Sequence, residues 1–316
     1  MSLPPILKNC LRLPVIGAPM YIASGPDLVI AQCRAGIVGA FPALNARPKE
    51  VLGDWLSQLE ETLAPDAAPF AVNQIVHKSN SRLDHDLDLC IRHKVPIIIT
   101  SLGAREDVNA AVHAYGGIVL HDVINDRFAR KAIEKGADGL IAVAAGGGAH
   151  AGTWSPFALV QEIRQWFDGP LVLAGSIASG RAVRAAQVMG ADLAYIGSPF
   201  LATEEASVSA DYKEMVARSG AADIVYTDAF SGVNSNYLRG SIEKYGMDPD
   251  NLPKGGVSKM DFGDREGPEP ETESDKPKAW RDIWGAGQGI GVIDAVRPVA
   301  DYVDRLAKQY DDARSV

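Results

Sequence analysis

Eight short β-rich runs alternate with helical patterns through the first two thirds of the chain, and that alternation limits the fold more than any other feature. The runs cover residues 13–18, 37–41, 70–74, 97–101, 118–123, 140–143, 171–176 and 193–198. Most are apolar without interruption, as strands of a parallel sheet covered on both faces must be. The intervening patterns predict helices over 27–34, 48–63, 84–92, 106–114, 126–134, 156–167 and 181–189. Several end on a glycine just before the next strand, as in Lys135-Gly136-Ala137-Asp138 and Met189-Gly190-Ala191-Asp192. Glycine at the position after a helix end accepts the left-handed backbone that stops it. These two tails are near copies of each other, which points to repeating βα units.

Eight such units predict an α/β protein, a (β/α)8 TIM barrel with a C-terminal extension containing an irregular acidic excursion. A doubly wound sheet is the alternative. It would place a glycine-rich fingerprint after the first strand, where this chain has Gly17-Ala18-Pro19-Met20. The expected layout is a barrel core over 1–203, a helical and irregular extension over 204–293, and a C-terminal helix over 294–316 that packs back on the barrel. Within the extension, 210–218 reads as helix and 226–238 as a mixed polar and aromatic stretch. Residues 248–278 are rich in proline, glycine and acid and read as extended or mobile.

The length of 316 residues, 47% of them hydrophobic, is enough for a barrel with a large core. A formal net charge of −9 argues against nucleic acid or an anionic membrane as the main partner. Residues 1–8 lack the charged and apolar regions of a signal peptide, and no apolar run is long enough to span a bilayer. The three cysteines, Cys10, Cys33 and Cys90, are scattered without metal-ligand spacing. Together these point to a cytoplasmic protein with reduced thiols, no metal and a small-molecule substrate. The oligomeric state stays open, a homo-oligomer included.

In such a barrel the chemistry sits at the C-terminal ends of the strands. The sixth strand runs into Gly146-Gly147-Gly148-Ala149-His150-Ala151-Gly152. Glycine lets backbone approach a ligand closely, and histidine moves protons near neutral pH. His150 is therefore the candidate catalytic residue. The seventh and eighth strands end in Gly175-Ser176 and Gly197-Ser198, at the usual phosphate site of the fold. Tight turns with no ligand would also account for those glycines.

These residues together resemble the nitronate monooxygenase family, also called 2-nitropropane dioxygenases. The matching segments are Gly17-Ala18-Pro19-Met20, Ala71-Val72-Asn73, the loop 146–152, Leu173-Ala174-Gly175-Ser176-Ile177 and 195–203. Asp228-Ala229-Phe230-Ser231-Gly232 and Trp284-Gly285-Ala286-Gly287-Gln288 also look like family segments, while 248–278 match poorly. The resemblance implies FMN, with its phosphate on Gly175, Ser176, Gly197 and Ser198. It implies that Ala18, Pro19 and Met20 pass along the flavin ring, that Asn73 hydrogen-bonds it, and that Gly147 and Gly148 approach its edge. His150 would face the substrate. The implied reaction is oxidation of alkyl nitronates, or of nitroalkanes, by O2 to carbonyl compounds and nitrite. An NAD(P)H-dependent flavin reductase acting on a quinone or an enoyl thioester is the alternative.

One departure bears on the chemistry. Some relatives carry a lysine at the end of the fifth strand, where this chain has His121-Asp122. A cation there would support reduced, anionic flavin, and an aspartate would not. Strand alternation lets only one of the pair face the barrel interior. Of the other candidates, His77, His85, His93 and His113 read as surface residues. Trp154, Trp280, Trp284 and Tyr237 read first as packing. Gln288 could cap either the active site or the barrel end.

Overall fold

A computed structural model describes residues 3–8, 10–148, 152–256 and 277–315. Its core is a (β/α)8 TIM barrel. The strands are β1 (Val15–Gly17), β2 (Gly39–Pro42), β3 (Phe70–Ile75), β4 (Ile97–Ser101), β5 (Ile118–Val123), β6 (Gly139–Val143), β7 (Leu171–Ala174) and β8 (Leu193–Ile196). All pair in parallel with their neighbours in sequence, and β1 pairs with β8. A bridge from Ile16 to Val38 brings β1 against β2 and completes the ring.

The outer ring holds α1 (Pro26–Arg34), α2 (Val51–Thr62), α3 (Leu83–Arg92), α4 (Glu106–Ala114), α5 (Asp126–Glu134), α6 (Pro156–Arg164) and α7 (Gly180–Met189). Gly136 and Gly190 adopt φ of +88° and +115° and end α5 and α7 as the repeated tails predicted. Helix α6 stops earlier than the apolar pattern suggested. Its last residue, Arg164, donates to the carbonyls of Phe167, Gly169 and Gly190 and pairs with Asp192, which holds the chain in a turn.

Alternate residues of each strand form two separate cores. Ile16, Ala40, Ala71, Ile97, Ile99, Leu120, Ile141, Val172 and Leu193 fill the barrel interior. Their neighbours along the strands, such as Val15, Val72, Ile98, Val119 and Leu140, pack under the helices. Continuous apolar strands are the direct result, because both faces are dry.

After β8 come the short α8 (Ser198–Leu201) and α9 (Ala210–Arg218). The mixed stretch 226–238 is in large part an antiparallel hairpin, β9 (Ile224–Thr227) with β10 (Ser235–Leu238), followed by α10 (Arg239–Lys244). Much of 248–278 lies outside the described residues. The last helix, α11, spans Val299–Arg314 and packs against α7 and α1. It starts later than expected because Pro298 sits at its N-terminal boundary and disfavours helix at the residue before it. Among the described residues, no helix is long and apolar enough to cross a membrane.

Candidate functional site

The C-terminal ends of the eight strands form one mouth, and all but one of the candidate site residues can be located there. The exception, His150, lies outside the described residues. The chain leaves β6 and returns to it, since Ala145 N–H donates to Trp154 O (2.8 Å). A Cβ on Gly152 would lie 2.5 Å from Val143 O, so only glycine fits that return.

On one side of the mouth, Ala18, Pro19 and Met20 follow β1 and are half-buried. Ala18 N–H donates to Ile196 O, which ties them to the end of β8 (2.8 Å). A Cβ on Gly197 would stand 3.4 Å from Ala18 Cβ and 3.5 Å from Met20 Sδ. Asn45 fixes the rest of this loop. Its amide donates to Met20 O and Ser24 O (2.9 and 2.8 Å) and accepts from Ile22 N–H (3.0 Å).

At the end of β7 the backbone turns through left-handed conformations, with φ of +120° at Gly175 and +57° at Ser176. A Cβ on Gly175 would lie 2.7 Å from Ala145 O. The N–H groups of Gly175, Ser176 and Ile177 have no acceptor among the described residues. Consecutive free N–H groups in such a turn make a concave seat for an anion. Ser198 lies beside it, and its Oγ accepts from Gly287 N–H (2.8 Å). Its hydroxyl hydrogen is still available to donate.

The segment 285–289 covers these loops, so of the two alternatives for Gln288 its segment lies at the strand ends that carry the candidate site. Gln288 N–H donates to Gly146 O (2.9 Å). Cβ atoms would stand 3.0 Å from Gly148 O at Gly285, 2.5 Å from Gly146 O at Gly287 and 2.8 Å from Ser176 O at Gly289. The run of glycines is thus a close-packing requirement. Tyr212 holds the segment from behind: its hydroxyl donates to Gly285 O (2.5 Å), accepts from Gly285 N–H (3.0 Å), and its ring stacks on Trp284 at 4.9 Å. Asn236, on β10, donates to Gly147 O (2.6 Å). Trp284 and Tyr237 are buried packing residues, as expected, whereas Trp154 is 40% exposed.

Across the mouth, β3, β4 and β5 contribute a polar chain. Asn73 Nδ2 donates to Ile99 O (3.2 Å) and to Ser101 Oγ (2.7 Å). Ser101 in turn donates to Asp122 Oδ2 (2.6 Å). No described residue donates to Asn73 Oδ1. The sequence-level question about His121 and Asp122 is settled by parity: Leu120 lies in the interior core, so Asp122 faces inward and His121 outward. His121 is buried against Thr100, with Nδ1 2.6 Å from Oγ1, and burial lowers its pKa to about 4. It is a neutral core residue, so it supplies no cation to the mouth. Burial raises the Asp122 pKa to about 6, against the opposing hydrogen bond from Ser101. Tyr195, inward on β8, is raised well above its usual value by burial and, secondarily, by Asp122.

A family model described as nitronate monooxygenase matches residues 13–309. The chain is 26% identical over 284 residues to a nitronate monooxygenase of Paraburkholderia phytofirmans, covering 75% of this chain and 76% of that one. It is 28% identical over 225 residues to the (3aS,4S,5R,7aS)-5-hydroxy-7a-methyl-1-oxo-octahydro-1H-indene-4-carboxyl-CoA dehydrogenase of Rhodococcus jostii. That alignment covers 71% of this chain and spans only 62% of the relative's length. Among solved structures, the nitroalkane oxidase from Streptomyces ansochromogenes shares the fold, with a TM-score of 0.81 at 23% identity over 98% of this chain and 99% of that one.

Proposed function

The chain belongs to the nitronate monooxygenase family, and from that premise we propose that this oxidoreductase binds FMN and oxidises alkyl nitronates, or nitroalkanes, with O2 to carbonyl compounds and nitrite. The observation that carries the cofactor is the turn at Gly175–Ser176, whose N–H groups have no acceptor among the described residues and where position 175 has no room for a Cβ. A phosphate monoester fits such a turn, and Ser198 adds a hydroxyl donor beside it. Ala18, Pro19 and Met20 line the approach from β1, Asn73 offers an acceptor from β3, and the Gly147–Gly148 backbone borders the same space. When bound, FMN supplies the electron acceptor and the oxygen chemistry.

The protein supplies placement and proton control. His150 serves as general base toward a neutral nitroalkane, or as the electrostatic partner of an anionic nitronate. The cover made by 285–289 limits water around the phosphate turn. The purified protein should be yellow, and it should release nitrite from propionate 3-nitronate or a nitroalkane. His150→Ala should lower nitrite release from a neutral nitroalkane by about 100-fold or more. Turnover of that variant at the parent rate would remove His150 from the mechanism.

The likeness to a CoA thioester dehydrogenase favours one second reading, an NAD(P)H-dependent reductase acting on a quinone or an enoyl thioester. Rapid anaerobic bleaching of the bound flavin by NADH or NADPH, without nitrite release, would select it. A colourless protein that takes up no FMN would exclude both readings.

A further inference from the structure

Asp122 is the one acidic side chain that the interior parity of β5 directs into the mouth, and half of its carboxyl is unsatisfied. Oδ2 accepts from Ser101, whereas Oδ1 is buried with no hydrogen-bond partner among the described residues. Ser101 has already spent its single hydrogen, and Asn73 donates toward Ser101 rather than toward Asp122. Among the described residues, the groups placed near Asp122 are Ser101 from β4, its register partner Ile141 on β6 and Tyr195 from β8, with Leu120 and Val143 in the same interior layer. No lysine, arginine or histidine among the described residues contributes to its titration. His121, the nearest ionisable neighbour in sequence, points to the other face and is neutral.

A buried carboxylate oxygen without a donor is costly, and the usual relief is to take up a proton. We propose that Asp122 is the proton-exchanging residue of the redox site: ionised while the bound flavin is oxidised, it takes a proton from solvent when the flavin gains negative charge. This rests on the flavin reading above. A fixed cation would offset that charge directly; an aspartate offsets it by losing its own. The balance is simple. Two electrons and one proton convert the flavin to its reduced anion, and one further proton converts the Asp122 carboxylate to the acid. A nitronate, or dithionite in the test, supplies the electrons. At an effective dielectric near 20, a unit negative charge anywhere within roughly 12 Å favours the protonated acid by about tenfold or more. That is enough to carry a carboxyl that titrates near 6 across neutrality.

The test counts protons rather than turnover. The FMN-loaded protein, in weak buffer at about pH 7 with an indicator dye, is reduced anaerobically with dithionite, and proton uptake per flavin is compared with that of Asp122→Asn. The parent should take up close to one proton more than the variant. Its flavin midpoint potential should also fall more steeply with pH between about 6 and 8. Equal uptake and equal slopes, with FMN bound in both, would overturn the proposal. If Asp122→Asn does not hold FMN, the parent's own titration decides. A potential whose slope does not steepen between about pH 6 and 8 overturns it, and a steeper segment in that range supports it. A chain that takes up no FMN would overturn the flavin reading as well, which keeps the two failures distinct.

Discussion

At Gly175 one hydrogen atom separates an open turn from a blocked one. The residue has a φ of +120° and its missing Cβ would lie 2.7 Å from Ala145 O. Gly175→Ala must therefore move either the end of β7 or the loop after β6. FMN affinity should weaken by about tenfold or more, read by fluorescence quenching, while the far-ultraviolet spectrum stays unchanged. The adjacent pair His121 and Asp122 carries a second prediction, about pH. The pKa of His121 is lowered by folding to about 4, so its contribution to stability is complete above its unfolded value near 6.5. That contribution, about 3 kcal/mol, drains away as pH falls from 6.5 to 4. Asp122 has the opposite sign. Its pKa is raised to about 6, so it favours the folded state below the unfolded value near 4 and loses that contribution as pH rises through 6. The two changes oppose each other across the same window. In FMN-free protein, Asp122→Asn should remove the compensation: stability is higher at pH 7 and falls more steeply on acidification to pH 4.5 than in the parent. Parallel denaturation profiles from pH 4.5 to 7 would contradict this.

Single elements show which features can be read from sequence and which cannot. The barrel strands are legible because a parallel strand with two dry faces must be an apolar run, and Ile97–Ser101 and Ile118–Val123 fall where that rule puts them. Helices Glu106–Ala114 and Asp126–Glu134 are legible from their periodicity, with Asn125 capping the second through Phe128 N–H. The hairpin of β9 and β10 is not legible, because Ser235 and Asn236 break any apolar alternation. Asn236 is there to reach Gly147, which lies far away in sequence. The same limit hides the cover segment: its glycines are required by the loops after β6 and β7, and no local window contains both. Ser101 is legible at the same level, since it shares the inward parity of Ile97 and Ile99 at a strand's C-terminal end. At this scale the loop after β1 depends on Asn45, one side chain serving three backbone groups. Asn45→Ala should cost about 1–3 kcal/mol in denaturant unfolding and weaken FMN binding, because Met20 loses its anchor. Unchanged FMN affinity would show that Met20 is held by other means.

Over the whole molecule, the C-terminal helix closes the ring of helices. Helix α11 runs between α7 and α1, so close to α7 that a Cβ on Gly180 would collide with Leu306 O. Tyr302 packs edge-on against Phe200 at 5.3 Å and donates to Ala178 O (3.0 Å), joining α11 to the segments after β7 and β8. Tyr302→Phe keeps the ring and removes only that donor. It should destabilise the protein by about 1–2 kcal/mol in chemical denaturation without shifting the flavin spectrum. A larger loss, with FMN released, would mean that the helix supports the site itself.

The cover made by 285–289 has a consequence for biosynthesis. All eight barrel strands precede residue 197, whereas the segment laid over their ends follows residue 284. During translation, nearly ninety residues separate the last strand from the segment that covers the turn at Gly175–Ser176. A nascent barrel can thus be paired and water-filled at its mouth for several seconds at ordinary elongation rates of roughly 5–20 residues per second. On the FMN reading proposed above, retention of the cofactor would report the arrival of residues 285–289.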